Sequence, residues 1–160
     1  MAAPASEPLS EKPNTVTIEI RRAKPEDSAE IAKLSGQLGY EATAAQVARR
    51  LEEACGSGEY DVLVAQTPVG EIVGWIGVYI YRTVTSPPRV EISGLVVDEK
   101  HRSQEIGATL LESADDWAVA KGLHSIGLHC NTIRERAHEF YLRHGYRLEK
   151  TQKLFRKALP

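Results

Sequence analysis

The amino-acid sequence predicts an α/β domain with one mixed central sheet and helices on both of its faces. Three observations predict it. Short runs rich in Val, Ile, Leu and Tyr read as strands, and they alternate with segments whose apolar residues recur three and four apart. Gly and Pro stand at most of the joints. The resulting order, β-α-α-β-β-β-α-β-α-β-β, interleaves the two element types along the whole chain, as layered α/β domains do.

Residues 1–14 hold three of the eight prolines among small and charged residues. Such a stretch buries little, so it is expected to be a disordered tail, with one folded domain over 15–160. Val16 to Ile20 alternates apolar and polar residues and reads as a strand. Pro25-Glu-Asp27 opens a helix, with proline early and acids at its positive end. Ala29, Ile31, Ala32, Leu34 and Leu38 give that helix an apolar side before Gly39-Tyr40 ends it. Thr43 is an N-cap for a second helix with Val47, Leu51 and Ala54 at helical spacing, stopped by Gly56-Ser-Gly58.

Tyr60 to Ala65 and Ile72 to Tyr81 flank the turn Val69-Gly70-Glu71 and read as a hairpin. Ser86-Pro-Pro88 breaks the pattern, and Val90 to Val97 is the next strand. After the polar loop Asp98 to Gln104, a helix runs to about Lys121 on the stripe Ile106, Leu110, Ala114, Trp117 and Ala118, with Gly122 as its C-cap. His124 to Cys130 reads as a buried strand, and Arg134 to His144 as a helix stopped by Gly145. Tyr146 to Leu148 and Lys153 to Arg156 read as a final strand pair.

Composition excludes several classes. Lys and Arg number 20 against 22 Asp and Glu, a net charge of -2 with no basic stripe, so nucleic acid is not the expected partner. No apolar run is long enough to span a bilayer, and the N-terminus lacks the basic start and apolar stretch of a signal peptide. A cytoplasmic protein without a membrane partner is expected. Cys55 and Cys130 form no CxxC or Cys/His spacing, which points to reduced thiols and to no metal site. His124 and Cys130 share a strand face by the period of two. A metal-binding or nucleophilic role stands there beside the simpler one of a small buried residue. His129 reads as structural or as near a ligand.

The segment most loaded with chemistry is the junction after Val97. The first amides of a helix lack intrahelical partners and carry the positive end of its dipole, which suits a phosphate. His101-Arg-Ser-Gln-Glu-Ile-Gly-Ala108 supplies such a start, with Arg102 as an added cation and Gly107 allowing close backbone approach. The longer run from Leu95 to Leu111 resembles the acetyl-CoA motif of the GNAT (Gcn5-related N-acetyltransferase) superfamily, usually written Arg/Gln-x-x-Gly-x-Gly/Ala. Ile126-Gly-Leu-His-Cys-Asn131, Ala137-His-Glu-Phe-Tyr141 and His144-Gly-Tyr146 are similar to its following segment. The resemblance extends over roughly Val16 to Lys157.

The resemblance implies a GNAT-type fold and an N-acetyltransferase that moves an acetyl group from acetyl-CoA to a primary amine of a small molecule or peptide. It implies that Leu95, Val96 and Val97 pair with the pantetheine arm through backbone groups. Arg102, Ser103, Gln104, Glu105, Ile106, Gly107 and Ala108 are implied to cradle the pyrophosphate, and Asn131 and Arg134 to contact the cofactor. The resemblance also admits a homodimer, which is common in that family.

One position departs from the motif: counted from Arg102, the fourth residue is Glu105 where the family has Gly. A carboxylate about 5 Å from a phosphate costs roughly 3 kcal/mol at an effective dielectric of about 20, on the order of 100-fold in affinity. Alternatively Glu105 faces solvent at the positive end of its own helix, where an acid is welcome. A non-catalytic binding module with weakened cofactor affinity is the corresponding second reading of function.

Acetyl transfer needs an amine freed of its proton, a donor to the thioester oxygen and a donor to the leaving thiolate. Glu91, on the strand leading to Leu95, matches the family's strand-borne general base; it also reads as a solvent-facing residue. The N–H of Val97 is a candidate donor to the thioester oxygen. Tyr141 matches the family's general-acid tyrosine, with packing on the sheet as its other reading. Tyr40 and Glu41, between the first two helices, are candidate contacts for a cationic amine or simply a surface loop. Aminoglycosides, polyamines, amino acids and protein N-termini all stay open as acceptors.

Overall fold

The structure, a computed structural model, describes residues 17–102 and 104–160. The expected tail over 1–14, the strand start at Val16, and Ser103 lie outside them. The chain divides into two compact units, the first ending at Leu128 and the second running His129–Pro160.

The first unit holds a five-stranded sheet in chain order: β1 (Glu19–Arg22), β2 (Tyr60–Gln66), β3 (Ile72–Tyr81), β4 (Arg89–Val97) and β5 (Ile126–Leu128). The first four strands are antiparallel neighbours, and β5 joins β4 in parallel. Its helices are α1 (Ser28–Gln37), α2 (Ala44–Cys55) and α3 (Ile106–Ala120).

Strand alternation sends neighbouring residues to opposite faces. Val62, Val64 and Val96 pack with Ile31 and Leu34 of α1 and Val47 and Leu51 of α2. The opposite face lies under α3. Trp117 Nε1 donates to the buried Asp61 at 3.2 Å. A Cβ on Gly74 of β3 would stand 2.9 Å from the carbonyl oxygen of Val96 and 3.2 Å from Leu110 Cδ1, so only Gly permits this approach.

The β2–β3 hairpin and α2 form as read; Thr43 accepts from the Gln46 amide at 3.2 Å while the Gln46 side chain accepts from the Thr43 amide at 2.9 Å. Three readings are corrected. β1 is described from Glu19 and includes Arg21 and Arg22, because pairing with Leu63 and Val64 of β2 sets its extent. β5 covers only Ile126–Leu128 rather than His124 to Cys130, so His124 and Cys130 share no strand. Tyr146 to Leu148 and Lys153 to Arg156 form no strands, and Leu148, Leu154 and Phe155 are exposed. Alternation makes a segment fit for a ladder, but a strand exists only where a partner bonds it.

The start of α1 carries an ion pair that the sequence did not announce. A 3-10 turn, Pro25–Asp27, precedes the helix. Arg21 grips the buried Asp27 with two nitrogens at 2.8 and 2.9 Å, and the Lys24 amide donates to the same carboxylate at 2.7 Å. The Arg21 guanidinium, aided by that amide against the cost of burial, holds the Asp27 carboxyl below its ordinary 3.8. The native state therefore binds this proton less readily than the unfolded chain. The stabilisation is complete above pH 3.8 and disappears as pH falls through the lower native value. Urea midpoints of the wild type and Asp27→Asn are expected to differ at pH 6 and to converge in strong acid.

The second unit contains α4 (Glu135–Arg143). Before it, Asn131 Oδ1 accepts from the Ile133 amide at 3.2 Å and the Asn131 carbonyl from the Arg134 amide at 3.0 Å.

Candidate active site

The central strand β4 carries the features that matter. Opposite Gly77 it holds one extra residue: Gly77 pairs with Gly94, Val78 with Ile92, and Ser93 is the bulge. Pairing with β5 involves only Val90, Glu91 and Ile92. From Ser93 onward no described strand bonds that edge, so β4 stands open there. The Asp98 amide donates to Val73 on β3 at 2.8 Å. Because successive amides alternate in direction, the N–H groups of Leu95 and Val97 point away from β3 toward the open edge, and Val96 points its own toward β3.

Glu91 lies just before the bulge, on the face shared with α1 and α2. It is only 2% exposed. Arg89 Nε donates to its Oε1 at 2.7 Å, and the guanidinium lies 4.3 Å from the centre of the Tyr81 ring. Gly127 of β5 passes beneath; a Cβ there would come within 3.2 Å of Glu91 Oε1. Across the ladder, Tyr79 pairs with Glu91, and burial followed by that carboxylate pushes its phenol pKa up. Tyr60 stacks near Tyr79 with centroids 6.2 Å apart, and its hydroxyl hydrogen-bonds Ser93 Oγ at 3.0 Å. Trp75 Nε1 is buried without an acceptor among the described residues.

Beyond Val97 the chain makes a 3-10 turn, Glu99–His101, and then enters α3. Burial acts to raise the Asp98 pKa but is outweighed by hydrogen bonds from the Lys100 amide and Gln37, so the carboxyl sits below its ordinary value. Gln37, at the end of α1, also accepts from the Glu99 amide at 3.1 Å, tying α1 to this turn. The expected helix start near Gln104 moves to Ile106, because Glu105 takes the left-handed conformation with φ 64° and ends the turn. Glu105 is exposed and makes no side-chain cap. The first amide closing the helix is that of Thr109, bonded to the Glu105 carbonyl at 3.0 Å. Among the described residues, the amides of Ile106, Gly107 and Ala108 have no protein acceptor, and they form a cradle for an oxyanion. Arg102 is exposed, 3.8 Å from Glu99.

Left-handed backbone costs a residue with a Cβ roughly 1–2 kcal/mol. Glu105 occupies that conformation at the motif position where glycine is usual. Glu105→Gly is therefore expected to raise stability by about 1 kcal/mol in urea denaturation, and an unchanged midpoint would refute the strain.

Tyr40 and Glu41 are exposed on the loop between α1 and α2, Tyr40 by 71%. In the second unit, Tyr141 stacks edge-on with Tyr146 at 5.6 Å and Phe140 at 5.4 Å. Burial, with a smaller contribution from Cys130 and against Arg134, pushes its pKa up to about 12. Burial also raises the thiols of Cys55 and Cys130, the opposite of nucleophile activation. No group of three or more His, Cys, Asp or Glu among the described residues could hold a metal ion, and no described helix is long and apolar enough to cross a membrane.

Sequence reasoning took the loop Thr83 to Arg89 as a border of the acceptor cleft but gave no individual role to Arg89, Tyr79, Tyr60 or Ser93. One signal was available: Arg89 and Glu91 are two apart on a strand and so share a face. Tyr79 and Tyr60 required the hairpin register, and the bulge required the partner strand.

A bulged central strand, an open edge beside it and a helix start that follows its end are thus the features of the site in this mixed α/β fold. The chain belongs to the acetyltransferase (GNAT) family, whose description matches residues 29–146. It is 38% identical over 79 residues to an aminoalkylphosphonate N-acetyltransferase of Salmonella typhimurium, a match spanning 49% of this chain and 51% of that protein. Its fold is that of glucosamine-6-phosphate N-acetyltransferase from Arabidopsis thaliana (TM-score 0.76, 23% identity, 89% of this chain and 99% of that one). It is also that of AAC(6')-Iy, solved with the bisubstrate analogue CoA-S-monomethyl-acetylneamine (TM-score 0.79, 17% identity, 89% and 99% covered).

Proposed function

We propose that the protein transfers the acetyl group of acetyl-CoA to the primary amine of a small molecule. One observation carries the reading: a single strand places a buried carboxylate, a bulge and two outward amides in succession, with three helix amides beyond its end that have no acceptor among the described residues. The Salmonella protein named for aminoalkylphosphonate acetylation and the Arabidopsis protein named for glucosamine-6-phosphate acetylation support a small amine acceptor.

Acetyl-CoA, when bound, supplies an acyl group already activated as a thioester. The amides of Ile106, Gly107 and Ala108 hold the pyrophosphate, and Arg102, Ser103, Gln104 and Glu105 of the same motif contribute to the cradle. Leu95 and Val97 offer outward N–H groups along the pantetheine arm, with Val96 between them, and one of the two stabilises charge building on the thioester oxygen. Glu91 removes the ammonium proton, directly or through water. Tyr40 and Glu41 serve as rim contacts for the amine. Asn131 and Arg134 contact the cofactor.

Tyr141 hydrogen-bonds the departing sulfur. With its pKa pushed up to about 12 it keeps its proton at every working pH. Handing that proton fully to a thiolate of ordinary pKa near 8.5 is uphill by roughly 5 kcal/mol, so it acts as a hydrogen-bond donor and not as a complete acid. Tyr141→Phe is expected to lower kcat by about 10-fold with little change in acetyl-CoA affinity, the worth of one hydrogen bond to a charged group. Unchanged kcat would remove Tyr141 from the mechanism.

The test is thermal denaturation with and without acetyl-CoA, followed by thiol detection of released CoA with a panel of amines. A cofactor-dependent rise in Tm and amine-dependent CoA release are expected. A rise in Tm without release would favour the binding module.

A further inference from the structure

The buried Glu91 does not stand alone, and its partner constrains what the acceptor must carry. Arg89 Nε donates to Glu91 Oε1 at 2.7 Å, with the two side chains 29% and 3% exposed. The guanidinium's other end faces a loop of hydroxyls: Nη1 lies 3.5 Å from Ser86 Oγ, and Ser86 Oγ lies 3.0 Å from Thr83 Oγ1. The planar fork therefore spends Nε on the base and turns Nη1 toward Ser86, whose hydroxyl in turn bonds that of Thr83.

Charge balance then selects a substrate. At rest Arg89 and Glu91 neutralise one another. An ammonium acceptor adds one positive charge. Once Glu91 has taken its proton, the Arg89 guanidinium is left half-buried without the charge of its carboxylate partner, an unfavourable arrangement when nothing replaces it. An oxyanion on the acceptor, placed against the Nη atoms and the hydroxyls of Ser86 and Thr83, restores the balance at both stages. It also matches the fork geometry that favours Arg over Lys for carboxylate and phosphate groups.

Resting on the acetyltransferase reading above, the geometry points to an acceptor that carries a phosphonate, phosphate or carboxylate near its amine, with Arg89 as the residue that selects it. The site thus takes a zwitterion in preference to a plain alkylamine.

The test compares 2-aminoethylphosphonate and β-alanine with propylamine and ethanolamine, measuring kcat/KM at saturating acetyl-CoA. The two oxyanion-bearing amines are expected to exceed the neutral pair by about 10- to 100-fold, the worth of a hydrogen-bonded charge contact. Arg89→Gln should lower kcat/KM for the oxyanion amines about 10-fold more than for the neutral ones, and Arg89→Lys should recover part of the difference. Equal kcat/KM for all four amines in the wild type overturns the proposal while leaving the acetyltransferase reading intact. So does a preference that survives in a folded Arg89→Gln protein. If none of the four releases CoA and other amines do, the inference fails alone; if no amine does, both fail together. The wild-type comparison decides the matter even if the variant does not fold.

Discussion

Glu91→Gln is expected to lower kcat for amine acetylation at pH 7 by about 10²- to 10⁴-fold, the range of a positioned general base. Near pH 7, an amine of pKa about 10.4 is neutral in roughly one molecule in a few thousand, so deprotonation dominates the barrier. The amide is close in shape to the carboxylate and still accepts the hydrogen bond from Arg89 Nε, but it cannot hold the proton. The neighbouring packing should survive, since glutamine keeps the outline of glutamate and Gly127, where even a Cβ would stand 3.2 Å from Oε1, has no side chain to clash with it. Acetyl-CoA affinity, read by calorimetry, is expected to change little. A second readout separates catalysis from damage. Activity of the variant should climb as pH rises toward the amine pKa, because alkali then does the work of the missing base. A variant with wild-type kcat at pH 7 would end the case for Glu91.

Leu110→Ala is expected to cost about 2–5 kcal/mol, the range for a buried leucine truncated in a packed core. Leu110 is 0% exposed and lies beneath Gly74, where the sheet and α3 approach most closely. No larger residue on β3 can lean in to fill the hole, since a Cβ at position 74 would meet the Val96 carbonyl oxygen at 2.9 Å. For a domain of this size the loss corresponds to a Tm lower by roughly 5–20 °C. Leu110 also anchors the first turns of α3, where Ile106 to Ala108 present their amides. Acetyl-CoA affinity is therefore expected to fall as well, by a smaller factor, and urea denaturation with a parallel ligand titration measures both. A shift in Tm below 2 °C would mean that the site collapses around the cavity.

How much of this was legible depends on the range over which each feature is determined. The β2–β3 hairpin was legible because the two apolar runs and the Gly70 turn are contiguous. The start of α2 was legible because the Thr43–Gln46 capping box closes within four residues. The placement of Glu91 on the strand leading to Leu95 followed from spacing alone. The extent of β1 was not legible, since β2 determines which residues bond, and it extended the ladder to two arginines that the alternating pattern ended before. The C-terminal strands were misread for the converse reason: the alternation at Tyr146 to Leu148 joins no strand ladder among the described residues.

The sequence alone determined the order of elements from β1 to α4, the hairpin, the Thr43 cap of α2 and the polar turn that leads into α3, all of which follow from propensities and side-chain contacts within a few residues. Only the tertiary structure decided that Glu91 is 2% exposed and gripped by Arg89, that Ser93 is a bulge, and that Leu95 and Val97 face an open edge. Burial, ladder register and the direction of an amide belong to a strand together with its neighbours, and those neighbours arrive from distant parts of the chain.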